Sequence, residues 1–139
     1  MSLTVVESPY SVRTTMDRLI AALNRRGIAV FARVDHSGGA RSAGLELADE
    51  EVLIFGDPRV GTFLMQSDPE IGYELPLRVL VWDAGGQTRV GYRRPIEVVQ
   101  NYAVTDQTEL LDRMNRLLTD LVAESTTSAA EDGSFGKGD

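Results

Sequence analysis

At 139 residues, the chain has room for one domain with a single substantial core. Its formal charge of −7 opposes a general nucleic-acid or anionic-membrane surface, because both need a basic face to neutralise phosphate. Cysteine is absent, which excludes disulfides, thiol catalysis and thiolate-held metal, and no apolar run approaches bilayer length.

The opening "MSLTVVESPYSV" has no basic stretch followed by a long apolar one, so no signal peptide is expected and a cytoplasmic location is. Within it, "LTVVES" reads as a short strand centred on Val5 and Val6. A helix is expected from Ser11, whose hydroxyl can accept from a free backbone N–H. Val12, Met16, Leu19, Ile20 and Leu23 then form one helical stripe, and Gly27 is placed to end it. "IAVFARVDH" reads as a strand with Ile28, Val30, Ala32 and Val34 on one face and Phe31 on the other. "SGGARSAG", residues 37–44, reads as a flexible small-residue connection, and "EVLIFG" as the next strand.

Residues 55–62, "FGDPRVGT", join that strand to a short helix. Asp57 caps the helix and Pro58 occupies its first position, where a missing N–H costs nothing. "LRVLVWD" and "QTRVGYR" flank "AGG" and read as a hairpin, since glycine tolerates the positive φ of a tight turn. The last helix is expected to open at Asp106 with Glu109 as its reciprocal cap. Its apolar face comprises Leu110, Leu111, Met114, Leu117, Leu118 and Leu121, and these are core. Residues 124–139 hold a net −3 of the charge and one large apolar residue, Phe135; they are expected to be a disordered acidic tail after a domain spanning 1–123.

The order β-α-β-β-α-β-β-α, with alternating strands and two one-sided helices, predicts an α+β fold: an antiparallel sheet with helices on one face. The other sheet face must then be solvated, covered by loops or buried against a second copy. Phe31 and Trp82 fall away from the main valine rows, so an aromatic-bearing second face points to a dimer or a ligand groove.

"SPYSVRTTMDRL", "VFARVDH", "LIFGDPRVGTFLM", "ELPLRVLVW" and the hairpin ending in "VGY" together resemble the domain-of-unknown-function 302 family over roughly residues 5–122. The resemblance implies a fold like that of the TATA-binding protein and members that form homodimers. It supplies no activity. The likeness of fold does not imply DNA binding.

Two constellations are candidates for a site. His36 is the sole histidine, so any imidazole base is His36, with Asp35 to orient it; the structural alternative is Asp35 capping the next turn. In "FGDPRVGT", Gly56, Arg59, Gly61 and Thr62 could hold a small anion at a helix N-terminus, although Asp57 competes for the same N–H groups. The structural alternative is a turn and close packing. Gly61 is the residue that capping leaves unexplained. No metal or cofactor is expected: one histidine without cysteine is a poor zinc set, and no calcium-loop spacing is present. Glu74 reads as a solvated loop residue, with a pocket carboxylate as the alternative. Two functions follow. One is a homodimeric ligand-binding or accessory interaction module, touching neither nucleic acid nor membrane. The other is a small enzyme with His36 as general base and an anionic substrate near Arg59. They differ in whether Asp35, His36 and Arg59 share one cavity.

Overall fold

The computed structural model describes residues 3–128. Its strands are β1 (Thr4–Ser8), β2 (Ala29–Asp35), β3 (Glu50–Gly56), β4 (Leu77–Ala84) and β5 (Gln87–Tyr92). Its helices are α1 (Val12–Arg25), α2 (His36–Ser42), α3 (Pro58–Ser67), α4 (Pro95–Val98) and α5 (Thr108–Thr126), with 3-10 turns at Pro69–Tyr73 and Val99–Asn101. All neighbouring strands pair antiparallel, in the order β1-β5-β4-β3-β2. The expected α+β class and antiparallel sheet are what the chain adopts.

Local chemistry sets most boundaries. The Ser11 hydroxyl accepts from Thr14 N at 3.1 Å, and Gly27 leaves α1 at φ 67°, where only a residue without Cβ sits at low cost. Met16, Leu19 and Leu23 of α1 and Leu118 and Leu121 of α5 pack on Leu53, Phe55, Val79, Val81 and Val90. Each such aliphatic side chain contributes about 1.5–3 kcal/mol on burial, so the sheet and the two long helices form one unit. A second cluster of Leu64, Ile71, Leu110, Leu111 and Met114 joins α3 and its 3-10 turn to α5.

Three expectations fail at particular residues. Residues 37–44 are not a flexible connection, because most of them form α2. Asp35 caps that helix from Gly38 N at 2.9 Å, and buried Ser37 accepts from Glu50 N at 3.2 Å, an anchor that outweighs two helical glycines. The alternation along β2 breaks at a bulge between Val30 and Ala32. Phe31 is the extra residue, so Val30 opposes Phe55 on the core side while Ala32 and Val34 oppose Ile54 and Val52 on the open side. Asp106 does not cap α5: it lies at φ 59°, a conformation aspartate tolerates, and Gln107 holds the cap position without a side-chain bond.

Residues 124–126 are not disordered. Glu124, Ser125 and Thr126 belong to α5, where Arg25 and Arg26 hold the Glu124 carboxylate and keep its pKa, chiefly through Arg26, below the usual carboxylate range. Arg18 Nε donates to Ser125 O at 3.0 Å and Tyr10 Oη to Thr127 O at 2.7 Å. The expectation for residues 129–139 lies outside the described residues.

Candidate functional site

At the exit of β3 the capping logic holds atom by atom. Asp57 Oδ1 accepts from Arg59 N at 3.0 Å, and Pro58 begins α3. The Arg59 guanidinium folds back on the same carboxylate, with Nη2 2.8 Å from Oδ2, and this holds Asp57 below its ordinary pKa. Arg59 is 87% exposed in its side chain, and such a pair adds little stability. Thr62 is exposed as well. Gly56 and Gly61 face inward and line a cavity of about 220 Å³. The four residues grouped as an anion site therefore divide: two glycines border a cavity, while Arg59 and Thr62 stand outside.

The cavity walls are apolar. Phe31, Val60, Met65, Leu75 and Pro76 supply them, and buried Met114 contributes from α5. A third glycine, Gly72, completes the lining. None of the three needs glycine for its backbone, because none has positive φ. A Cβ at Gly56 would lie 3.4 Å from Pro76 Cβ, one at Gly61 3.4 Å from Leu75 Cδ1, and one at Gly72 3.2 Å from Met65 Sδ.

Gly61 sits inside α3, where glycine costs about 1 kcal/mol relative to alanine. The added methyl reaches only ordinary contact with Leu75. Gly61→Ala is therefore expected to raise stability by about 0.5–1 kcal/mol, read as a higher urea midpoint at unchanged slope. A midpoint below wild type would show that the room at Gly61 is required by packing.

Asp35 and His36 face different hollows. Asp35 accepts from Gly38 N and from Ser37 Oγ at 2.7 Å, which lowers its pKa, and it borders a polar hollow beside Arg13, Arg33 and Arg41. His36 borders a separate hollow of about 390 Å³ with Val34, Val52, Leu80 and Gly91 on the open sheet face. Arg59 reaches neither. Asp35, His36 and Arg59 are thus not brought together. Among the described residues no group of three or more His, Asp or Glu side chains is placed to hold a metal.

Sequence reasoning undervalued Glu74. Its carboxylate accepts from Tyr102 Oη at 2.7 Å and Arg93 Nη2 at 3.3 Å, and its side chain is only 18% exposed. The Tyr102 hydroxyl, donating to that carboxylate, has its pKa raised. The open face, expected to bear Trp82, carries a longer apolar row than the sequence alone discloses. Val52, Ile54, Leu80 and Trp82 are half-buried there, while Leu3, Val5 and Val34 are exposed. Trp82 was the one signal. Its indole lies over Gly91, where a Cβ would sit 3.0 Å from Trp82 Cζ3 and 2.9 Å from Leu3 Cδ1, so glycine lets the ring approach the sheet.

Comparison with known proteins adds family and fold. Residues 4–121 match the family model described as "Domain of unknown function DUF302". Proteins named Fluoride-specific ion channel FluC 1 from Brucella suis biovar 1 (strain 1330) and from Brucella abortus biovar 1 (strain 9-941) are each 42% identical over 103 residues. That match covers 73% of this chain but 41% and 38% of theirs, so the chain spans about two fifths of the length of these curated relatives. Among its described residues no helix is long and apolar enough to cross a membrane. A crystal structure of an uncharacterized conserved DUF302 protein from Bacillus stearothermophilus superposes with a TM-score of 0.80 at 19% identity, over 90% of this chain and 98% of that one. At that identity the likeness is one of fold.

Proposed function

We propose, for a chain that belongs to the DUF302 family, that it is a homodimeric accessory interaction module of the cytoplasm, pairing through the open face of its sheet. The observation that carries this reading is the apolar row on that face. A sheet covered on one side normally presents polar residues on the other, whereas Val34, Val52, Leu80 and Trp82 stand here beside Leu3 and Val5 with α1 and α5 on the opposite side. Apolar surface of this extent marks an interaction site.

A second copy suits it because the margin carries both signs of charge. Glu7 neighbours Arg89 across β1 and β5, and Glu50 and Arg78 lie on the same face of β3 and β4. Two copies related by a twofold axis can set these charges against one another while burying the row between them. The relatives named as fluoride-specific ion channels contain this segment as about two fifths of their length. A domain that accompanies a larger remainder in those proteins fits an accessory role here. The general-base alternative gains no support, since its three residues occupy separate surfaces.

Sedimentation equilibrium tests the pairing. The wild-type chain is expected at twice its monomer mass. Val5→Lys with Val34→Lys, at positions already exposed, is expected to weaken association by at least about 30-fold, since removing two apolar contacts and burying two charges on each copy costs about 2–4 kcal/mol. Circular dichroism should stay unchanged. A wild type that remains monomeric at about 100 μM, or a double variant that dimerises as well as wild type, overturns the proposal.

A further inference from the structure

We infer that the cavity beside α3 is a binding site for one small, uncharged, mainly apolar molecule of one- or two-ring size. This goes beyond the pairing of sheet faces and stands independently of it.

Three observations converge. The first is the set of glycines. Gly56, Gly61 and Gly72 come from β3, α3 and the 3-10 turn, are separated in sequence, and share one cavity. No left-handed backbone requires any of them. A Cβ at each would come within 3.2–3.4 Å of another lining residue. What glycine supplies at all three is room in the same place, and at Gly61 that room is kept at the helical cost described above.

The second is size. About 220 Å³ is somewhat more than the roughly 150 Å³ that accommodates benzene and below the roughly 300 Å³ at which drug-sized pockets begin. A substituted benzene or a compact fused pair of rings such as indole fits that interval. Phe31 offers a ring at the mouth, and Met65 and Met114 offer polarisable thioethers that pack well on aromatic edges.

The third is chemistry. Asp57 alone among the lining side chains carries a charge or hydrogen-bonding group, and its carboxylate is bound by the Arg59 backbone N–H and guanidinium. A ligand carboxylate would enter beside that aspartate and find no side-chain donor on the walls. A ligand cation would find the aspartate already neutralised. Burying either charge without a partner is prohibitive, so the occupant is neutral.

The test uses the full chain, labelled with nitrogen-15, and titrates it with indole. Benzoate, similar in size but anionic, and glycerol, neutral but polar, are the comparison probes. Indole is expected to bind saturably with a sub-millimolar Kd and to move the amide signals of Gly56, Gly61 and Gly72. Benzoate and glycerol should bind at least about tenfold more weakly. Gly61→Leu, which fills the cavity, should weaken indole binding by about tenfold or more; Gly61→Ala should do so several-fold and decides the matter if the leucine variant does not fold. Val5→Lys/Val34→Lys should bind indole as wild type does, which separates this site from the pairing face. No saturable indole binding, equal binding of benzoate, or undiminished binding by the folded Gly61 variants would overturn the assignment.

Discussion

Phe55→Ala is expected to lower the free energy of unfolding by about 3–5 kcal/mol. Phe55 is fully buried near the end of β3, opposing Val30 across β2 and Leu77 across β4, with the residues of α1 and α5 in the same core. Truncation removes the transfer energy of the ring and leaves a void that two sheet neighbours and two helices cannot close together. Phe55→Leu keeps much of the volume and should cost about 1–1.5 kcal/mol. Urea denaturation reads both as a falling midpoint at constant slope. A loss below about 1.5 kcal/mol for the alanine variant would mean that the core collapses around the vacancy, contrary to the packing described.

Arg33→Ala ranks second, at an expected cost of about 2–3 kcal/mol. Arg33 Nε lies 2.7 Å from Glu51 Oε1 and its Nη1 2.8 Å from Asp17 Oδ1, and the bond to Glu51 is the main reason its pKa rises. Glu51 faces the helix side of β3, with its side chain 11% exposed. Removing the arginine strands that carboxylate. The arginine is 30% exposed, so water relieves part of the penalty and the figure falls short of a fully buried pair. Arg33→Leu with Glu51→Leu should recover most of the loss, because no buried charge is then left without a partner. A double variant as unstable as Arg33→Ala would show that the pair contributes directly and not through the penalty of breaking it.

These two cases divide what the amino acids disclose from what they do not. α1 is legible because Ser11, the stripe from Val12 to Leu23 and Gly27 all act within a few residues of one another. The β4–β5 hairpin is legible for the same reason, with Gly85 and Gly86 at positive φ. Asp57 and Pro58 specify the start of α3 without reference to anything distant. Phe55 is a core residue by simple alternation.

The features that escape are those decided by a partner far along the chain. The bulge at Phe31 depends on β2 pairing with β3, and it reverses the faces assigned to Ala32 and Val34. The helix of residues 36–42 depends on Ser37 reaching Glu50. Glu74 acquires its environment only when Tyr102 arrives, 28 residues later. Of the residues singled out in "FGDPRVGT", Gly61 carries the most information for a reason invisible locally: what it borders is Leu75 and Met65, not a charge on its own turn.

The bonds that tie the end of α5 to the start of α1 set how far the chain can be shortened. Tyr10 reaches Thr127, Arg18 reaches Ser125, and α5 packs along β1, so the end of α5 is clasped by the β1–α1 turn and the first turns of α1. A chain cut after Val122 would lose Glu124, Ser125 and Thr127, the partners of Arg25, Arg26, Arg18 and Tyr10, so α1 would loosen together with the end of α5.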